Sequence, residues 1–136
     1  ERAQSRMEED QLEKMIVTLP IQHKAILSSI VLNEIYGKLK MQTTGDVQEI
    51  YGNVCGRLKI KELSSRRVSQ IISELEMHGL INAGVTSWGR HGRTRRIKLE
   101  VEKREIRKIM KKDSYMHNIL KNAGDGLLRR RQVRFS

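Results

Sequence analysis

One cysteine, Cys55, stands among 136 residues. Alone it closes no disulfide and builds no cysteine-based metal site within the chain. It reads as a small core residue, and its isolation points to a reducing, intracellular setting. The four histidines, His23, His78, His91 and His117, show no ligand spacing, so no metal is expected. No G-x-x-x-x-G-K-S/T phosphate loop is present. Acidic residues fall on solvent faces or in first turns of helices, without the pairing that acid–base chemistry needs. The expectation is a piece with no catalysis and no cofactor of its own. Apolar runs are too short to span a bilayer, and no secretory leader or internal repeat is found. The chain opens on Glu1, which reads as a piece of something longer or a processed product.

What is abundant is positive charge. Lys and Arg number 27 against 16 acids, a net charge of +11. Such an excess costs self-repulsion in a compact state and points to a polyanionic partner. It is unevenly placed: residues 1–18 carry a balance of −2 and the remaining 118 residues +13.

Periodicity gives the element order. Residues 4–17 read as a helix with Leu12, Met15 and Ile16 on one face. Leu19-Pro20 punctuates the chain and starts a helix over 21–36, whose wide apolar face (Ile26, Leu27, Ile30, Val31, Ile35) belongs in the centre of a core. Thr43 or Thr44 can cap a helix from about Asp46 to Leu58. Ser64 caps another over 65–78, with Val68, Ile71, Ile72 and Leu75 as its stripe and Gly79 as a left-handed stop. Leu80–Thr86 and Thr94–Glu100 read as two strands around a glycine-bearing turn. In the second, Ile97, Leu99 and Val101 face one way and Arg96, Lys98 and Glu100 the other. A basic helix over 102–112 docks through Ile106, Ile109 and Met110. The fold class is mainly α with a small β-hairpin, a winged helix-turn-helix. Its expected organisation is a linker helix over 1–18 leading from a preceding domain, the winged helix over 19–113, and a basic mobile tail over 114–136.

Two surfaces carry the functional reading. Opposite the stripe of the 65–78 helix lie Arg66, Gln70 and Ser73, flanked by Arg67, Ser69 and Glu74. Arginine can grip the O6/N7 edge of guanine and glutamine the N6/N7 edge of adenine. Ser64, Ser65 and Ser69 near the helix start can bond phosphates, aided by the helix dipole. Every surface helix has a polar face, and the position between a helix-turn and a hairpin is what singles this one out. The hairpin holds five bases and no acid from Trp88 to Lys98: Arg90, Arg93, Arg95, Arg96 and Lys98. Gly89 and Gly92 let its backbone approach a sugar–phosphate rail, and arginines on a thin loop suit a narrow minor groove. Trp88 either packs beneath the hairpin or stacks on a sugar. Lys38, Lys40, Lys59 and Lys61, and Lys103, Arg107 and Lys111 on the last helix, are either further phosphate contacts or plain surface charges.

The block Ser64-Ser65-Arg66-Arg67-Val68-Ser69 through Ile72-Ser73-Glu74-Leu75-Glu76-Met77-His78-Gly79-Leu80-Ile81, followed by Gly89-Arg90-His91-Gly92-Arg93-Thr94, resembles the C-terminal winged-helix domain of the archaeal origin-recognition initiators. These are relatives of the eukaryotic origin recognition complex large subunit and the cell-division-cycle helicase loader. Leu19-Pro20, Lys24-Ala25-Ile26-Leu27 and Thr43-Thr44-Gly45-Asp46-Val47 fit the same pattern, over about residues 15–112. The resemblance implies a parent AAA+ ATPase, with ATP and magnesium bound in portions outside this chain, and partners in double-stranded origin DNA, other initiator copies and the replicative helicase. It implies a cytoplasmic, nucleoid-associated protein and no membrane. The helix would enter the major groove through Ser64, Ser65, Arg66, Arg67, Ser69 and Gln70, and the hairpin the minor groove through Gly89, Arg90, Gly92, Arg93 and Thr94. Trp88 and His91 are not required by the pattern. A winged-helix transcription regulator, or a winged helix used as a protein-interaction module, stays open from the residues alone.

Overall fold

The computed structural model describes residues 8–37, 41–87 and 93–122. Along these run α1 (Glu9–Val17), α2 (Ile21–Tyr36), β1 (Gln42–Thr43), α3 (Thr44–Leu58), α4 (Ser65–Met77), β2 (Ile81–Ser87), β3 (Arg93–Leu99), α5 (Lys103–Lys112) and α6 (Ser114–Lys121).

α2 starts directly after Pro20, whose fixed φ suits the approach to a first turn. Every residue from His23 to Asn33 is buried, so this helix is the axis of the core, with α3, α4, α6 and β3 packed around it. Ile35, expected on its apolar face, is only partly buried.

The strands form a three-stranded antiparallel sheet in the order β1–β3–β2, running from Ile81 opposite Leu99 to Ser87 opposite Arg93. Ile97 is buried while Arg96 and Lys98 are exposed, as a period of two requires. The third strand, β1, falls in a stretch that reads as a plain polar connection. Its cause is a buried amide pair. Asn33 Nδ2 donates to Gln42 Oε1 at 2.9 Å, and Gln42 Nε2 donates to Ile30 O at 3.4 Å. Two buried amides persist only with such partners. They pin Gln42 beside α2, where it and Thr43 pair with Ile97 and Arg96. Thr43 then closes a capping box on α3: its Oγ1 accepts from Asp46 N at 3.3 Å, and Asp46 Oδ2 accepts from Thr43 N at 2.9 Å.

Two boundaries of the expected organisation are corrected. Within the segment expected as a linker helix, α1 packs into the core: Leu12 and Ile16, one turn apart, are 1% and 0% exposed. Lys108–Glu9 and Lys112–Glu13 contacts, each 3.2 Å, tie α1 to α5. The tail does not begin at residue 114. Asp113 accepts from the backbone N–H groups of Tyr115 and Met116 at 3.0 and 3.1 Å and so starts α6. Met116 and Ile119, at i and i+3, are buried against the rest of the core. Residues 123–136, including Arg129-Arg130-Arg131, lie outside the described residues. Among the described residues no helix is long and apolar enough to cross a membrane.

Candidate nucleic-acid interface

The start of α4 is set from beneath. α3 ends at Lys59, the only non-glycine residue with positive φ among those described (57°), and Ile60 N bonds back to Cys55 O at 3.0 Å. The chain then runs over Tyr51 and Gln22. Tyr51 Oη donates to Gln22 Oε1 at 2.5 Å and accepts from Leu63 N at 3.0 Å, while Gln22 Nε2 donates to Lys61 O at 2.8 Å. Burial pushes the Tyr51 phenol up from 10.0 to about 12, so it stays a donor at any working pH. These bonds fix the turn between α3 and α4 to the core helices.

Ser64 follows as N-cap, its Oγ accepting from Arg67 N at 3.2 Å. The hydroxyl proton remains available to an acceptor outside the helix. Val68, Ile71, Ile72 and Leu75 are buried on one side of α4. Ser64, Ser65, Arg66 and Gln70 are exposed on the other. Gly79, at φ +80°, turns the chain into β2 in the left-handed region that favours glycine.

Arg67 is drawn aside. Its Nη1 lies 3.3 Å from Gln70 Oε1 and 3.4 Å from Glu74 Oε2. Glu74 also accepts from Nε2 of buried His23, at 2.6 Å. The His23 hydrogen bond, with Arg67 adding to it, holds the Glu74 carboxyl below the usual carboxylate range. His23 Nδ1 is buried with no partner among the described residues.

Arg95 turns inward. It shares the face of Ile97, two residues on, and its guanidinium reaches across to α4. Its Nη1 donates to Ser69 O at 3.1 Å and lies 3.3 Å from Ser69 Oγ, and its Nη2 donates to Ser73 Oγ at 2.8 Å. Glu76, 3.8 Å away, accepts from Ala83 N on β2. Three expected site residues, Ser69, Ser73 and Arg95, therefore meet one another and clasp the wing strand to the helix. Strand alternation could have shown this, because Arg95 and Ile97 have the same parity.

The remaining expected residues divide. The backbones of Arg93 and Thr94 pair with Ser87 and Thr86, while their side chains lie outside the described residues. Gly89, Arg90 and Gly92, with Trp88 and His91, lie outside them altogether, as do Lys38 and Lys40. Lys59 and Lys61 are exposed beside the start of α4. No group of three or more His, Cys, Asp or Glu side chains is placed to hold a metal among the described residues. The sequence reading placed Glu74 on this face but missed His23, Tyr51 and Gln22 as parts of this edge.

The arrangement offers hydrogen-bond donors at a helix start, a cation and an amide on the same exposed face, and a strand clasped alongside. Residues 14–109 match the profile of the family described as CDC6, C terminal winged helix domain. The chain belongs to this family. The CDC6-type winged helix here is 40% identical over 119 residues to an ORC1-type DNA replication protein of Thermococcus onnurineus and 41% identical to that of Pyrococcus furiosus. Each alignment takes in 88% of this chain and 28% of the relative. An Archaeoglobus fulgidus relative is 37% identical over 124 residues, covering 91% of this chain and 30% of its own length. Among solved structures, the Aeropyrum pernix ORC1 protein in complex with DNA superposes with a TM-score of 0.74 at 30% identity, over 87% of this chain and 30% of that one. This winged helix thus spans less than a third of the relatives it matches.

Proposed function

We propose that this chain binds duplex DNA at replication origins with a sequence preference, as the DNA-binding domain of a replication initiator. α4 lies in the major groove and the arginine-rich wing in the minor groove. The observation that carries the reading is the Arg95 clasp: it joins β3 to α4 through Ser69 and Ser73, so the helix and the wing strand are held as neighbours along one edge. The ORC1 protein of similar fold was solved in complex with DNA. In this reading Arg66 and Gln70 contact base edges, Ser64, Ser65 and Arg67 contact phosphates, and Gly89, Arg90, Gly92, Arg93 and Thr94 follow the wing into the groove. Ser69, Ser73 and Arg95 hold the two parts in register. The whole protein would add ATP- and magnesium-binding portions beyond this chain, meet other initiator copies and the replicative helicase, and work in the cytoplasm on the chromosome.

The test is titration of an origin element and of unrelated DNA across a salt series. Arg66→Ala or Gln70→Ala should relax discrimination by ~1–3 kcal/mol at one base pair. Arg90→Ala with Arg93→Ala should weaken binding to all sequences and make the salt dependence shallower by about 0.9 per lost phosphate contact. Unchanged affinity and slope in the wing variant would remove the wing from the interface. A tight dimer on a palindrome, seen by light scattering, would indicate a transcription regulator instead.

A further inference from the structure

The basic surface of α5 is absorbed by neither the core nor the edge formed by α4 and the wing. Its residues sort into three rows. Ile106, Ile109 and Met110 are buried. Lys108 and Lys112, one turn apart, face the acids Glu9 and Glu13 of α1. Lys103, Arg104, Arg107 and Lys111 turn the third way, where with Ile35 and the stem of Lys108 they line an open groove of about 330 Å³. No acid lines that groove. Arg107 forms its floor: Nη2 donates to Tyr36 Oη at 3.2 Å, the guanidinium lies 5.8 Å from the ring centre, and Nε is buried with no partner among the described residues.

Lys103 also borders a second hollow of about 250 Å³, shared with Arg96 and Lys98 on the outward face of β3. Glu34 is the one acid lining it. Glu100 follows directly on β3, two residues beyond Lys98, and Glu102 and Glu105 belong to the start of α5; none of the three lines either hollow. Lys103, Arg104, Lys111, Arg96 and Lys98 are all exposed and make no ion pair among the described residues. The fold thus supplies acids to one row of α5 and leaves the adjoining row bare, continuous with the wing strand.

We propose that this track, from β3 across Lys103 to Lys111, takes the sugar–phosphate backbone of duplex DNA that flanks the segment held by α4 and the wing. Lys103 to Lys111 alone covers about 12 Å at ~1.5 Å per residue, which suits a run of phosphates better than one small anion. Backbone contact needs only cations, and the track has no amide or hydroxyl row with which to read bases. The proposal rests on the duplex-binding reading above.

The test uses this chain with Lys103→Gln, Arg104→Gln and Lys111→Gln together, beside an equal-charge control of Lys14→Gln, Lys112→Gln and Lys121→Gln. All six positions are exposed, and thermal melting by circular dichroism checks the fold. On a long duplex the track variant should lose roughly tenfold or more in affinity at low salt, with a slope shallower by about 2 to 3, while the control keeps the native slope. On a short duplex carrying only the central element, the track variant and the native chain should bind alike. Native slope on the long duplex, with Arg66→Ala still weakening binding, would overturn the track and leave the main interface standing. That result would turn the surface over to an acidic protein partner. Equal losses on both duplexes would overturn the flanking assignment. A native chain that binds neither duplex would sink both readings.

Discussion

His23 and Lys24 are neighbours in the first turn of α2, and each ties that helix to a different region. His23 reaches Glu74 on α4 at 2.6 Å, and Lys24 reaches Asp113, between α5 and α6, at 2.5 Å. The side chains of the first pair are 9% and 44% exposed, those of the second 11% and 6%. A buried pair cannot lose one member without stranding the other charge away from water, whereas a half-open pair can be replaced by solvent. The C-terminal helices are therefore tied to α2 through a pair that cannot be opened cheaply, and Glu74 on α4 through one that water can replace. The same helix thus holds its C-terminal neighbours through a buried pair and the reading edge through a half-open one.

The largest break comes at the buried pair. Asp113→Ala should cost ~3–5 kcal/mol in urea unfolding, because it strands the Lys24 ammonium, and it also removes the cap of α6. Lys24→Met combined with Asp113→Asn should recover most of that loss. A single-variant cost under ~1 kcal/mol would show that Lys24 escapes to water and that the contrast between the two pairs is false.

A middle effect is expected at the start of α4. Tyr51→Phe leaves Leu63 N and the Gln22 side chain without their partner and should cost ~1–3 kcal/mol, with base discrimination blurred as the turn loosens. The phenol also has a pH signature. Its folded value lies above 10.0, at about 12, so its contribution is present below 10 and is lost as pH rises toward 12. Tyr51→Phe should lack that part of the alkaline destabilisation, as two unfolding series across that range would show.

The smallest effect on stability belongs to Glu74→Gln at the open pair. Glu74 is held below its ordinary value of 4.5, so its contribution is present above that value and lost as pH falls through the lowered one. The variant and the native chain should converge in acid and differ slightly near neutrality. Its larger consequence is on binding. Arg67 is released, so affinity for unrelated duplex should rise while discrimination between sequences falls, measured by paired titrations. Unchanged discrimination would mean that Glu74 plays no part in orienting Arg67 and Gln70.

Much of this architecture was legible from residue patterns, and the exceptions share a cause. Ser64 as a cap, Gly79 as a left-handed stop and the alternation about Ile97 are local effects, and they stand where the residues suggest. β1 escaped because two residues carry no period; it exists through the Asn33–Gln42 contact and its pairing with Ile97. α6 escaped because Asp113 reads as a loop acid until Lys24, 89 positions away, is brought against it. The same holds at the interface. Ser64, Ser65, Arg66 and Gln70 are exposed as a helical wheel requires. Arg95 was counted among the wing's cations although its parity with Ile97 turns it toward Ser69 and Ser73. Local rules place side chains on faces, and only tertiary contacts decide which faces meet.

The account stands or falls on where a bound duplex touches the chain. The direct measurement is amide chemical-shift mapping of the isotope-labelled chain during titration with an origin duplex. The predicted result is perturbation concentrated in residues 64–70 and 88–96, with α1 and α6 quiet. Shifts confined to α1, α6 or the segment beyond residue 122, with those two stretches unmoved, would contradict it.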